Sequence, residues 1–250
     1  MTLREKSVLA LQVLRESMAF CWHNGVLWDY VGLFFFVIIA VGGGMGLLSY
    51  VLGKTIIALL TIALFASFLA VILFWIVIAF LQKVTALLHG RSLLLRESFN
   101  VSSQFIWQFV IGMLVLSFAY SFCMILFKLV PATSMVYWFL LPIGLIGYWI
   151  ALVAALFNPI LFSDRTSAFV ALKKSMIFVW AYWDIMTITY AALILAIAAP
   201  LILLVKIMHP IIFITLTVLL LPFVLLWIMY AFLLMSVFWF VFYNNTLDSF

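Results

Sequence analysis

Charge is almost missing from this chain, and the spacing of the little there is constrains the fold more than any other feature. The 250 residues include 12 Lys and Arg and 7 Asp and Glu. They leave six long uncharged runs: Tyr30–Gly53, Thr55–Gln82, Ser98–Phe127, Leu129–Ser163, Ile185–Val205 and Ile207–Leu247. A helix needs roughly 20 apolar residues to cross a bilayer core, and every run reaches that length. Stretches such as Ile56-Ile57-Ala58-Leu59-Leu60 are apolar on all sides, whereas a transmembrane strand alternates over about 10 residues. A chain that is 70% apolar and 8% charged cannot cover a compact body with polar surface, so lipid must solvate its exterior. The expected fold is all-α, a polytopic bundle of six transmembrane helices forming one integral membrane domain over residues 1–250.

The chain also repeats itself. Leu14-Arg15-Glu16-Ser17-Met18 returns as Leu95-Arg96-Glu97-Ser98-Phe99 and as Leu172-Lys173-Lys174-Ser175-Met176. A Trp and a polar residue follow each time: Trp28-Asp29, Trp107-Gln108 and Trp183-Asp184. Next come a span, a turn with a single lysine (Lys54, Lys128, Lys206), and a second span ending in an amide (Gln82, Asn158, Asn244). Any six-span hairpin protein places charges at its turns, so the lysines alone would not require duplication. The Leu-basic-x-Ser element is not accounted for in that way. The pattern predicts three units, at about residues 1–82, 83–160 and 161–250, each an amphipathic lead-in followed by a helical hairpin. Two spans per unit make the repeats parallel.

Arg4, Lys6, Arg15, Lys83, Arg91, Arg96, Arg165, Lys173 and Lys174 fall on one side of these spans, and only Lys54, Lys128 and Lys206 on the other. The positive-inside bias then puts both termini and the lead-ins in the cytoplasm. The first apolar run follows a mixed-charge segment, lasts a full span and has no small-x-small cleavage site, so it is expected to be retained. A net charge of +5 scattered over span ends sets orientation and does not suggest a nucleic-acid partner.

The lead-ins Thr2–Phe20, Leu87–Phe105 and Ser167–Trp180 are expected to lie along the cytoplasmic interface. In the first, Leu3, Ala10, Leu11, Leu14 and Met18 can share one stripe, with the acyl boundary on that side and anionic headgroups on the basic side. Each basic group near such a surface contributes about 1 kcal/mol. Anchoring connectors are the plainer reading, and a lipid-sensing or partner-docking collar the sharper one. The expected interface residues are Arg15, Trp28, Arg96, Trp107, Lys173, Lys174 and Trp183, with Trp22 and Trp180 near the same depth. Tryptophan suits that depth because its ring is apolar and its N–H needs a polar neighbour. A ligand-stacking platform is the alternative to such a belt. Asp29 and Asp184 are expected to cap their spans, and Ser163-Asp164 to start the helix at Ala168.

No reaction is named by this sequence. No ionisable residue lies deep in a span, where function usually explains one. His23, His89 and His209 come without a His-Glu-x-x-His or Cys-x-x-Cys pattern, and no nucleophile elbow or phosphate loop is present. Cys21 and Cys123 are far apart and suggest neither a disulfide framework nor a metal. The expectation is no catalytic residue, no cofactor and no metal site. Lys54, Lys128 and Lys206 either snorkel to the outer interface or form a ring that attracts anions. Gly42 and Gly46 make a small-x-x-x-small pair for close helix packing, or else mark a broken helix along a substrate path. Pro142 and Pro222 are expected to kink their spans, and Asn158-Pro159 to end its span.

Three hairpins, each introduced by an element such as Ala171-Leu172-Lys173-Lys174-Ser175, resemble a broad set of bacterial six-span membrane proteins similar to the integral membrane domain attached to some glycerophosphodiester phosphodiesterases. The resemblance covers the layout of most of the chain and few identities. It implies a bacterial inner-membrane protein. The soluble domain that carries that family's catalysis has no counterpart in these residues, so no catalytic residue transfers. Mitochondrial carriers also have three two-span repeats, but their Pro-x-acidic-x-x-basic signature is missing here and the amphipathic segments precede the odd spans. The expected role is a non-enzymatic structural, accessory or envelope-related protein with the lipid bilayer and anionic headgroups as partners. The alternative is a small-solute, anion or lipid transporter with a path between the hairpins. Neither a protein partner nor an oligomeric state follows from the sequence.

Overall fold

The computed structural model describes residues 3–52, 56–129, 137–207 and 210–247. All regular structure among them is helical: α1 Leu3–His23, α2 Val26–Leu52, α3 Ile56–Leu88, α4 Leu95–Leu129, α5 Tyr137–Ser163, α6 Ala168–Ile207 and α7 Pro210–Leu247. Six stretches are long and apolar enough to cross a bilayer: Val26–Leu47, Thr61–Leu88, Phe105–Lys128, Leu140–Ser163, Ala168–Pro200 and Val224–Thr246. Each overlaps one of the uncharged runs, the second extending over Lys83 and the fifth over Lys173, Lys174 and Asp184, and the chain is a multi-pass membrane protein.

The lead-ins differ from one another. Only the first forms its own helix. Asn24 ends α1 by donating both its backbone N–H (3.1 Å) and its side-chain Nδ2–H (2.8 Å) to the Phe20 carbonyl. The second starts α4 at Leu95 and runs on without a break, while Leu87 and Leu88 belong to α3. The third is continuous with the fifth span, and only a non-helical Tyr182 (φ −128°, ψ 20°) marks the junction. That stretch therefore begins at Ala168 and not at Ile185.

The amides do not end their helices. The helices continue past Gln82 to Leu88, past Asn158 to Ser163 and past Asn244 to Leu247. Pro159 lies inside α5. Its missing N–H removes one backbone bond, a loss that a membrane helix tolerates when protein packs around it, and Pro159 is buried. Left-handed residues follow two of these ends, Gly90 (φ 67°) after α3 and Arg165 (φ 50°) after α5. Glycine adopts that conformation at little cost; arginine carries a steric penalty there.

The chain divides into two compact units that cut across the predicted repeat boundaries. The first comprises Met1–Glu16, Phe105–Ala196 and Phe238–Phe250, and the second Ser17–Gln104 and Ile197–Val237. In the first, α4 and α5 run antiparallel. The rings of Phe105 and Phe109 lie 5.8 and 6.3 Å from that of Phe162, and further along, Gly112 meets Phe157 so closely that a Cβ on the glycine would sit 1.9 Å from the ring. In the second, α2 packs on α3. Tyr30 is buried against Phe80 and Phe99 (6.2 and 6.3 Å) and shares a 2.5 Å hydrogen bond with Ser98 Oγ. Trp28 stacks on Tyr230 (6.1 Å) and Phe34 on Phe232 (5.0 Å). The buried Lys83 amine donates to the Leu93 carbonyl.

Small residues turn inward. In α1 the stripe buried against protein is Ala10, Val13, Ser17 and Cys21, while Leu11 and Met18, from the stripe expected to face lipid, are exposed. Small side chains let helices approach closely, while lipid tails are as apolar as leucine and accept the large ones. Ser17, Ser98 and Ser175, the serines of the repeated element, are all fully buried. The even-numbered spans are enclosed near their charged ends: every residue from Ile78 to Val84, from Pro159 to Phe162 and from Val237 to Tyr243 is buried.

Burial raises the Cys21 thiol from an ordinary 9.0 to about 12. Between those two values the unfolded chain would lose its thiol proton and the folded chain keep it, so the contribution of this residue to stability is whole below pH 9 and declines as pH rises toward 12. Native protein at pH 8 is expected to resist maleimide labelling at Cys21 and to label fully once denatured. Labelling of the Cys123→Ala variant at equal rates in both states would contradict this burial.

Candidate functional site

A concave feature lies in the first unit, between α5 and α6. On α5, Leu145, Tyr148, Trp149 and Leu152 follow helical spacing and so share a face. On α6 the corresponding side chains are Trp180, Trp183 and Thr187. Together they line a groove of about 630 Å³, within the range of roughly 300–1,000 Å³ of small-molecule sites. Tyr148 O–H donates to Thr187 Oγ1 at 3.0 Å, and Thr187 donates in turn to the Trp183 carbonyl at 2.7 Å. Trp149 Nε1 is buried without a hydrogen-bond partner, a group whose desolvation costs about 1–3 kcal/mol. A smaller cavity of about 390 Å³, lined by Tyr120, Cys123, Phe127, Gly144 and Gly147 among others, lies between α4 and α5.

The kink at Tyr182 falls between two lining residues, Trp180 and Trp183. A helix that restarts after such a break exposes N–H groups. Asp184 answers this: its Oδ1 accepts the Ile185 N–H at 2.7 Å, and Lys6 Nζ donates to its Oδ2. Asp184 thus caps as its place in the sequence suggests, and Lys6 fastens the start of α1 to the kink. The start of α6 is capped differently from expectation. Gln108 Oε1, from α4, accepts the Ala168 N–H at 2.9 Å. Asp164 instead accepts Lys174 Nζ and the Tyr243 hydroxyl, the latter at 3.1 Å. Asn245 Nδ2 donates to Glu16 Oε2 at 2.5 Å.

The expected interface residues are distributed over both units. Arg15, Arg96, Trp107 and Lys173 are exposed. Lys174 pairs with Asp164, Trp28 stacks on Tyr230, and Trp183 lines the groove. At Gly42 and Gly46, where close helix packing was expected, a Cβ would meet no atom within 4 Å among the described residues. Among the described glycines the close one is Gly112, which no motif marks. Lys54, His209 and the Lys206 side chain lie outside the described residues, so the lysine ring does too, although Lys128 is described and exposed. The α5 and α6 stripes were present as helical spacing in the sequence. The Lys6–Asp184 pair, 178 residues apart, left no such signal. Among the described residues, no three His, Cys, Asp or Glu side chains gather to hold a metal. No family model matches the chain, and no curated protein or solved structure matches it either.

Proposed function

We propose that the protein is a non-catalytic structural or accessory component of the bacterial inner membrane, with both termini in the cytoplasm, comparable in kind to the membrane domains of glycerophosphodiester phosphodiesterases. The observation that carries this reading is the enclosure of the even spans near their charged ends, at Ile78–Val84, Pro159–Phe162 and Val237–Tyr243. Helices buried on every side make a filled scaffold, not a conduit. The two cavities described above are walled largely by apolar and aromatic side chains, which disfavours a path for a hydrophilic solute.

Internal duplication is supported by matched burial at a constant offset. Ala10, Val13, Ser17 and Cys21 correspond to Ala168, Ala171, Ser175 and Val179, all buried. The break at Asn24 corresponds to the kink at Tyr182. The outer faces match as well: Leu11 and Phe169 are 61% and 67% exposed, Met18 and Met176 41% and 43%, Trp22 and Trp180 77% and 80%. Arg15 and Lys173 lie among them, both exposed. A face of large apolar groups around one cation supports lipid contact with anionic headgroups nearby.

The test is reconstitution in sealed proteoliposomes together with reporter tags on each end. The expected outcome is no ion or solute flux above that of empty vesicles, with both tags on the cytoplasmic face in cells. Sustained flux would sink the scaffold reading, and tags on opposite faces would sink the topology.

A further inference from the structure

We infer that the α5–α6 groove seats one acyl chain of an anionic diacyl phospholipid whose phosphate pairs with Lys173. This deepens the scaffold reading, since it takes the Lys173 side to face the headgroups. The groove has apolar and aromatic walls, and no charged side chain lines it. Its outer wall is open: Trp180 is 80% exposed, Trp183 59% and Leu145 59%. It is therefore continuous with the lipid-facing exterior of two spans, where hydrocarbon is the solvent. The indole N–H groups at that wall suit the ester level of a leaflet, where a ring can sit in apolar surroundings and its N–H reach a carbonyl.

The charge pattern selects the headgroup. Lys173, Ile177 and Trp180 follow helical spacing on one exposed face of α6. Lys173 lies about 10 Å along the helix axis from Trp180. The polar layer of one leaflet is about 5–8 Å thick, half the difference between hydrocarbon and total bilayer thickness, and a lysine stem spans the remainder. The neighbouring charges are already committed, Lys174 to Asp164 and Lys6 to Asp184. Among the described residues of this α6 face, Lys173 is the exposed cation in line with Trp180 that a phosphate can use.

Native mass spectrometry of the full chain in detergent, titrated with phosphatidylglycerol or phosphatidylcholine of identical acyl chains, tests the inference. Wild type is expected to hold one phosphatidylglycerol more tightly than phosphatidylcholine. Lys173→Gln should weaken phosphatidylglycerol about fivefold, the worth of one basic group near an anionic surface, and leave phosphatidylcholine unchanged. Trp183→Ala should weaken both lipids, and Trp107→Ala, an exposed tryptophan outside the groove, neither. Should Trp183→Ala fail to fold, Trp183→Phe with chain-brominated phosphatidylglycerol replaces it: the saturable part of tryptophan quenching must fall relative to wild type. Equal binding of the two lipids by wild type, or groove variants that behave like Trp107→Ala, would overturn the inference and leave the flux and tag results intact. Solute flux with an intact lipid site would overturn only the scaffold reading.

Discussion

Gly112→Leu is expected to cost about 3 kcal/mol or more, at or beyond the top of the usual range for overpacking a core. The Phe157 ring occupies the place where a side chain would begin: its nearest carbon lies 1.9 Å from the position a Cβ would take, and two more lie at 2.6 Å. Phe157 is fully buried, so the ring cannot swing out to solvent or lipid. Even Gly112→Ala should destabilise, although alanine is the better helix former by about 1 kcal/mol. Gly42→Ala is the contrast: nothing lies within 4 Å of it among the described residues, so the propensity gain should survive. Unfolding in mixed detergent, followed by helical signal, would measure all three. Pairing Gly112→Ala with Phe157→Leu should recover part of the loss, as contacting residues couple. A Gly112→Leu protein as stable as wild type would mean that α4 and α5 do not meet at this point.

Asp164→Ala is expected to cost about 2–3 kcal/mol, the penalty of a buried hydroxyl left without its charged acceptor. Tyr243 is buried, and its O–H donates to Asp164 at 3.1 Å. The second partner, Lys174, has a side chain 48% exposed, and an ion pair of that kind contributes about 0–1 kcal/mol. The two contributions separate by substitution. Asp164→Asn keeps an acceptor for the tyrosine and loses only the charge, so its cost should stay under about 1 kcal/mol. Tyr243→Phe introduced into the Asp164→Ala background should be neutral or favourable, because it removes the orphaned group itself. If Asp164→Asn proves as damaging as Asp164→Ala, the ion pair and not the hydroxyl carries the energy.

The two sites differ in how much the sequence reveals of them. Asp164 could be noticed as an acid beside a span end, yet its reading as a helix start was displaced by Gln108, a residue from another helix. Gly112 stands alone in a long apolar run, while Gly42-Gly43-Gly44-Met45-Gly46 draws the eye although a Cβ at its glycines would meet nothing within 4 Å among the described residues. Proline shows the same limit. Pro159 reads as a terminator, but α5 passes through it because protein surrounds that turn. The sequence suggests interfacial aromatics at Trp180 and Trp183, and the groove they line was not legible, since its other wall comes from α5.

What the amino-acid order determined by itself is the crossing of the membrane. A charge in hydrocarbon is expensive and a helix satisfies its own backbone, so long uncharged runs must become spans wherever they occur. Which side of each helix faces protein was decided only in three dimensions. Lipid is as apolar as the side chains it touches, so hydrophobicity cannot separate inside from outside. Size and shape do so instead, by the fit of Ser17, Ser175 and Gly112 against neighbours that no local pattern names.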